Sequence, residues 1–208
     1  MLRSMPPVTR ALILVNVAVF GLQRSLGDRL VVAGALWPLG AVMPLGPAGS
    51  AGFHVWQLLT YAFLHGNGTH LFFNMFAVYM FGGEVERVFG PWRYLEYYLV
   101  AVVAAAATQL GVLYLTGGAP YPSIGASGGV FGLLLAFGTL FPRRMIVLLF
   151  PPLPMRAWVF VTLYGVLELF LGLTGTMGGV AHFAHVGGML GGWLLLRRWR
   201  RRAARGDW

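Results

Sequence analysis

A chain of 208 residues is long enough for one domain, and 58% hydrophobic against 10% charged residues, with a mean hydropathy of +0.72, excludes an ordinary soluble globular protein. No cysteine is present, which excludes a disulfide framework, a thiolate zinc site and a thiol nucleophile. The net charge of +9 comes from arginines at the ends of apolar segments, so it reads as topology signals and contacts to anionic lipid, with no nucleic-acid partner.

Several apolar runs approach the ~20 residues needed to cross a hydrocarbon core of ~30 Å. In chain order they predict an all-α polytopic membrane protein, one domain over residues 1–208, with spans at about 10–26, 69–88, 92–115, 127–141, 155–173 and 180–199. The first run, from Ala11, follows only Arg3 and Arg10 and precedes no small-residue cleavage site, so it is read as a retained span rather than a signal peptide. The connection 27–68 is too long for an idle loop. Its apolar stretch Leu30–Met43 with Trp37, and then Phe53, Trp56 and Tyr61, suit a structure lying in the outer interface. If the N-terminus is cytoplasmic, Arg3, Arg10, Arg87, Arg93, Arg143, Arg144, Arg156 and the run from Arg197 to Arg205 lie inside, and only Arg24 and Arg29 outside. That bias predicts two cytoplasmic termini.

The arginines also serve as depth markers. At ~1.5 Å per helical residue, Ser127 lies about 24 Å above Arg143, Asn74 and His70 about 20 and 25 Å above Arg87, and His185 about 18 Å above Arg197. Four polar groups from three spans therefore share one level below the outer surface. The fourth span is too short to cross, so the backbone before it must dip into the membrane, which is tolerated only inside protein or beside a water-filled cavity.

Each residue of this layer supports two readings. Ser127, within Gly125-Ala126-Ser127-Gly128-Gly129, suits small-residue helix packing. It equally suits a nucleophile at a helix N-terminus, where exposed amides favour a developing oxyanion. His185 is an ionisable group inside an apolar span, either a functional residue or a structural hydrogen-bonder. The overlapping pairs Gly187/Gly191 and Gly188/Gly192 would let its helix press on another; if that is the fourth, His185 can reach Ser127, the minimum for nucleophilic acyl transfer. His70 and Asn74, spaced i, i+4, share a helix face and suit either an oxyanion site or interhelical bonding. His182 and His185 raise a metal reading, but there is no HExxH and no acid nearby in sequence, so no metal is expected. Glu168, in the fifth span about 18 Å above Arg156, reads as a buried structural acid or as a third triad member.

The segments His65-Gly66-Asn67-Gly68-Thr69-His70-Leu71-Phe72-Phe73-Asn74, Gly125-Ala126-Ser127-Gly128 and Ala184-His185 with Gly188 and Gly192 together resemble the rhomboid protease signature, in the family's order. Gly82, Glu86 and Gly90 resemble its GxxxExxxG. The resemblance implies a six-helix rhomboid core with 27–68 as a lateral membrane-embedded loop. It also implies a Ser127–His185 dyad without a third acid, and an oxyanion site of His70, Asn74 and the Ser127 amide. Gly125, Gly128, Gly188 and Gly192 would support that site. No cofactor is implied; the partners are membrane-spanning protein substrates and the bilayer. Two departures stand out: Gln57 follows Trp56 where the family often has arginine, and Phe131 replaces a tyrosine that stacks on the histidine. The competing readings are a non-catalytic rhomboid-like protein that binds transmembrane helices, and a transporter. The first needs none of the polar layer; the second would call for repeats and paired intramembrane charges that the sequence lacks. The short form and the arginine bias fit a bacterial inner membrane.

Overall fold

The computed structural model describes residues 5–40, 42–44, 50–117, 122–148, 152–175 and 180–206. Arg3 and part of the predicted 27–68 loop, residues 41 and 45–49, lie outside this set.

Helix α1 (Pro7–Leu26) starts three residues before the predicted position. Pro7 presets the first turn, and the cap is non-local. The buried Glu86 carboxylate accepts the Val8 N–H (2.9 Å), the Thr9 N–H (2.7 Å) and the Thr9 hydroxyl (2.7 Å). An anion on the free amides of a helix N-terminus satisfies both their hydrogen bonds and the helix dipole. Gly27, at φ +61°, ends the helix.

The described parts of the long connection are structured. The connection holds α2 (Asp28–Gly34), a short antiparallel hairpin of β1 (Met43–Pro44) and β2 (Ser50–Ala51), α3 (Gln57–Thr60) and a 3-10 turn at Tyr61–Phe63. Gln57 ties its described parts together: fully buried, it accepts the Trp37 and His54 N–H groups (both 3.2 Å) and donates to the Gly52 carbonyl (3.0 Å). Trp56 Nε1 donates to the Ala33 carbonyl (2.9 Å), and the Thr60 hydroxyl to that of Gly34 (2.7 Å).

The second helical stretch runs from Gly68 to Phe89 as α4 (Gly68–Ala77), a π turn at Val78–Gly82 and α5 (Gly83–Phe89). Asn67 caps it, its side chain accepting the His70 N–H at 2.8 Å. Gly90, at φ +77°, ends α5 and lets α6 (Pro91–Thr116) begin at once. Helix α7 spans Ser127–Leu140 and is followed by the hairpin of β3 (Met145–Val147) and β4 (Pro154–Arg156). Residues 155 and 156, predicted as helix, therefore pair as strand, and α8 starts at Ala157 and runs to Thr174. Helix α9 covers His182–Arg205, beyond the predicted end at 199. The arginine run that would mark the membrane edge is also a good helix former, so the helix continues through it. Helices α6 and α8 are each long and apolar enough to cross a membrane.

Helix α9 packs along α6 and α7 and touches α8. The core follows a simple rule in which glycines on neighbouring helices leave room for three fully buried tyrosines of α6. A Cβ at Gly82 would overlap Tyr94, one at Gly129 would overlap Tyr98, and one at Gly192 would overlap Tyr97. The Tyr97 hydroxyl donates to the Gly132 carbonyl (2.8 Å), which fixes α6 against α7. The overlapping glycine pairs of α9 serve two neighbouring helices. Gly188 lies directly on the Gly128 carbonyl of α7, while Gly187 and Gly191 face Thr108 and Ala104 of α6. Side chains such as Leu14, Phe72, Leu163, Phe170 and Leu194 point outward, as a lipid-facing surface requires.

Candidate active site

The turn before α7 is held from two sides by the long connection. Leu36 and Ser123 exchange backbone hydrogen bonds (2.9 Å each), and the Gly125 N–H donates to the Tyr61 carbonyl (2.9 Å). Gly125 sits at φ +126°, where a side chain is strained, and a Cβ there would also strike the His70 ring at 2.8 Å. The turn thus delivers Ser127 as the first residue of α7, where the helix leaves amides without internal acceptors.

Close α7–α9 contact at Gly128 and Gly188 brings the two predicted residues together: His185 Nε2 and Ser127 Oγ are 2.8 Å apart. The His185 ring stacks on Phe131 with centroids 4.3 Å apart and planes 8° from parallel. Phe131 thus supplies the stacking surface without a hydroxyl.

His70 Nε2 and Ser127 Oγ both lie within 4 Å of the point where a Gly125 Cβ would sit. The Gly66 N–H approaches His70 Nδ1 (3.4 Å), which leaves Nε2 to carry the proton of the neutral ring. Asn74 is buried one turn along the same face, and its amide donates one hydrogen to the His70 carbonyl (3.0 Å). His65 packs edge-on to His70 at 5.0 Å, and the Gln23 side chain clamps its backbone in both directions. Burial, reinforced by His70, pushes the His65 imidazole down to about 4.

One arrangement departs from the sequence reading. Glu168 Oε2 lies 2.8 Å from His185 Nδ1 and 2.7 Å from His182 Nδ1. An acid does stand beside these histidines in space, although none lies near them in sequence. Sequence proximity missed it because Glu168 comes from another helix, across the α8–α9 contact. The signal that was available was its solitary position as an acid in an apolar span. Among the described residues, Glu168, His182 and His185 are the group able to offer a metal three ligand atoms, all within 4.8 Å of one another.

A serine hydrogen-bonded to a histidine, at a helix N-terminus inside an apolar helical protein, defines the class of site. The rhomboid domain model matches residues 52–202, and the chain belongs to the rhomboid family of integral membrane proteins. It is similar to rhomboid protease GluP of Bacillus subtilis (31% identity over 139 residues, 66% of this chain and 24% of that protein). It is also similar to the mitochondrial rhomboid protein 1 of Saccharomyces cerevisiae (34% over 161 residues, 71% and 45%). Rhomboid protease GlpG of Klebsiella pneumoniae is 30% identical over 128 residues, 62% of this chain and 41% of that protein. The chain thus matches between about a quarter and just under half of the length of these relatives.

Proposed function

We propose that the protein is an intramembrane serine endopeptidase that cleaves transmembrane protein substrates, with Ser127 as nucleophile and His185 as general base. The observation that carries this reading is the 2.8 Å contact between Ser127 Oγ and His185 Nε2. Rhomboid membership, and relatives whose names describe proteases, support it.

In the first half-reaction Ser127 Oγ attacks the scissile carbonyl carbon as its proton passes to His185 Nε2. The oxyanion is stabilised by the His70 Nε2–H, the Asn74 amide and the Ser127 N–H, aimed at charge that appears only in the transition state. His185 then gives its proton to the leaving amine as the C–N bond breaks, and an acyl-enzyme remains. Water adds to the acyl carbon, loses its proton to His185, and the serine recovers its own proton as the acid product leaves. No cofactor takes part in these steps.

In this reading the six long helical stretches are membrane spans with both termini cytoplasmic, and the protein resides in a bacterial inner membrane. Helix α7 has 14 residues and spans ~21 Å, short of a ~30 Å core, so the turn that delivers Ser127 lies below the surface. A helix-binding protein without catalysis needs neither the serine–histidine contact nor the adjoining donors. Cleavage of a model transmembrane substrate in proteoliposomes tests the reading. The wild-type protein cuts, while Ser127→Ala and His185→Ala do not; cleavage that persists in Ser127→Ala refutes the mechanism.

A further inference from the structure

We propose that Glu168 is a positioning residue for this site: one carboxylate oxygen, steadied by His182, holds His185 in the tautomer that leaves Nε2 free to accept the Ser127 proton. The proposal rests on the serine–histidine reading above and goes beyond it by adding Glu168 and His182.

The helix contact is built around this acid. On α8, Gly165, Glu168 and Gly172 follow one another at helical spacing and face α9. A Cβ at Gly165 would press on Met189 at 3.2 Å, and one at Gly172 on Phe183 at 3.1 Å and His182 at 3.3 Å. Glycines on both sides of Glu168 therefore let the helices close around it. Along α8, Leu163, Val166, Leu167, Leu169 and Phe170 point outward, whereas Glu168 is turned inward and buried. A carboxylate placed so in an apolar protein is costly unless paired, and its pair is the two histidines.

The hydrogen bonds fix the protons. An ionised carboxylate only accepts, so both Nδ1 atoms that touch Oε2 carry hydrogens. In neutral His185 the lone pair then sits on Nε2, facing Ser127 Oγ. At 2.7 and 2.8 Å these are direct hydrogen bonds with no gap for an ion between oxygen and nitrogen. Among the described residues His182 Nε2 is buried without a hydrogen-bond partner, and the bond to Glu168 is the one its ring makes there. His182 thus reaches His185 through the shared acid, beside an edge-on ring contact at 6.3 Å. When His185 takes the serine proton, the carboxylate faces the new imidazolium and no group has to move.

The test compares the wild-type protein with Glu168→Gln, Glu168→Asp, His182→Gln and the double variant Glu168→Gln/His182→Gln. All are full chains in proteoliposomes with one transmembrane substrate, and Ser127→Ala is the blank. Glu168→Gln keeps the size of the side chain and is expected to lower kcat about 100-fold or more, with KM within about twofold. Glu168→Asp restores part of kcat because it restores the charge. His182→Gln, which leaves the acid in place, lowers kcat about tenfold, and the double variant is no slower than Glu168→Gln alone. In histidine 15N spectra, the His185 Nδ1–H form dominates in the wild type and is depleted in Glu168→Gln. A kcat for Glu168→Gln within threefold of wild type, or a double variant that loses the product of the two single effects, overturns the assignment. With Ser127→Ala inert, such a result sinks this assignment alone; residual cleavage in Ser127→Ala sinks the serine mechanism with it.

Discussion

Gly125 shows at single-residue scale how closely the site is fitted. Its φ of +126° and the His70 ring against its missing side chain make Gly125→Ala a double insult, backbone strain of about 1–3 kcal/mol plus displacement of the His70 ring. Cleavage by Gly125→Ala should fall at least tenfold while Gly111→Ala, whose Cβ would meet nothing within 4 Å, leaves activity and the thermal midpoint unchanged; assays of both in one detergent check this. Gln57 teaches a different lesson. In sequence it registers only as a departure from the family's arginine, yet its side chain satisfies the buried Trp37 N–H, the part-buried His54 N–H and a carbonyl. Gln57→Ala leaves those groups unpaired and should cost about 2 kcal/mol or more, read as a lower unfolding midpoint.

Between elements, the decisive contact is α7 against α9. A Cβ at Gly188 would overlap the Gly128 carbonyl, so Gly188→Val must part the two helices and lengthen the Ser127–His185 bond. Near-complete loss of cleavage is expected, and unimpaired activity in that variant would show that close approach is not required. The serine, the histidine and the glycine pairs were legible in sequence because each is an exception to an apolar span. Their partners were less so. The spacing of Gly187 and Gly191 announces a close helix contact but not that it is made with α6. Glu86 caps a helix 77 residues upstream, and Glu168 reaches two histidines on the next helix, so neither role leaves a local pattern. Helix ends failed where local chemistry outweighed hydropathy, at the β3–β4 hairpin and in the arginine-rich end of α9.

At the scale of the whole molecule, acid should loosen the fold through His65. Its folded imidazole titrates at about 4 against about 6.5 in an unfolded chain, so between those values the unfolded state binds more protons. The contribution is complete above about pH 6.5 and is lost as pH falls towards about 4. The thermal midpoint should drop across that window, and His65→Gln should flatten the slope; an identical slope in the variant would assign the titration elsewhere. The whole chain otherwise acts as a frame: the long connection pins the turn before Ser127, α6 sets the spacing of α7 and α9, and α8 carries an acid to the histidine. In the proposed mechanism all of this serves one chemical event, activation of Ser127, and peptide mapping after treatment with a fluorophosphonate probe tests it most directly. A single covalent adduct on Ser127 is expected, and His185→Ala all but abolishes it. An adduct on another residue, or labelling of Ser127 that is indifferent to His185, would contradict that mechanism.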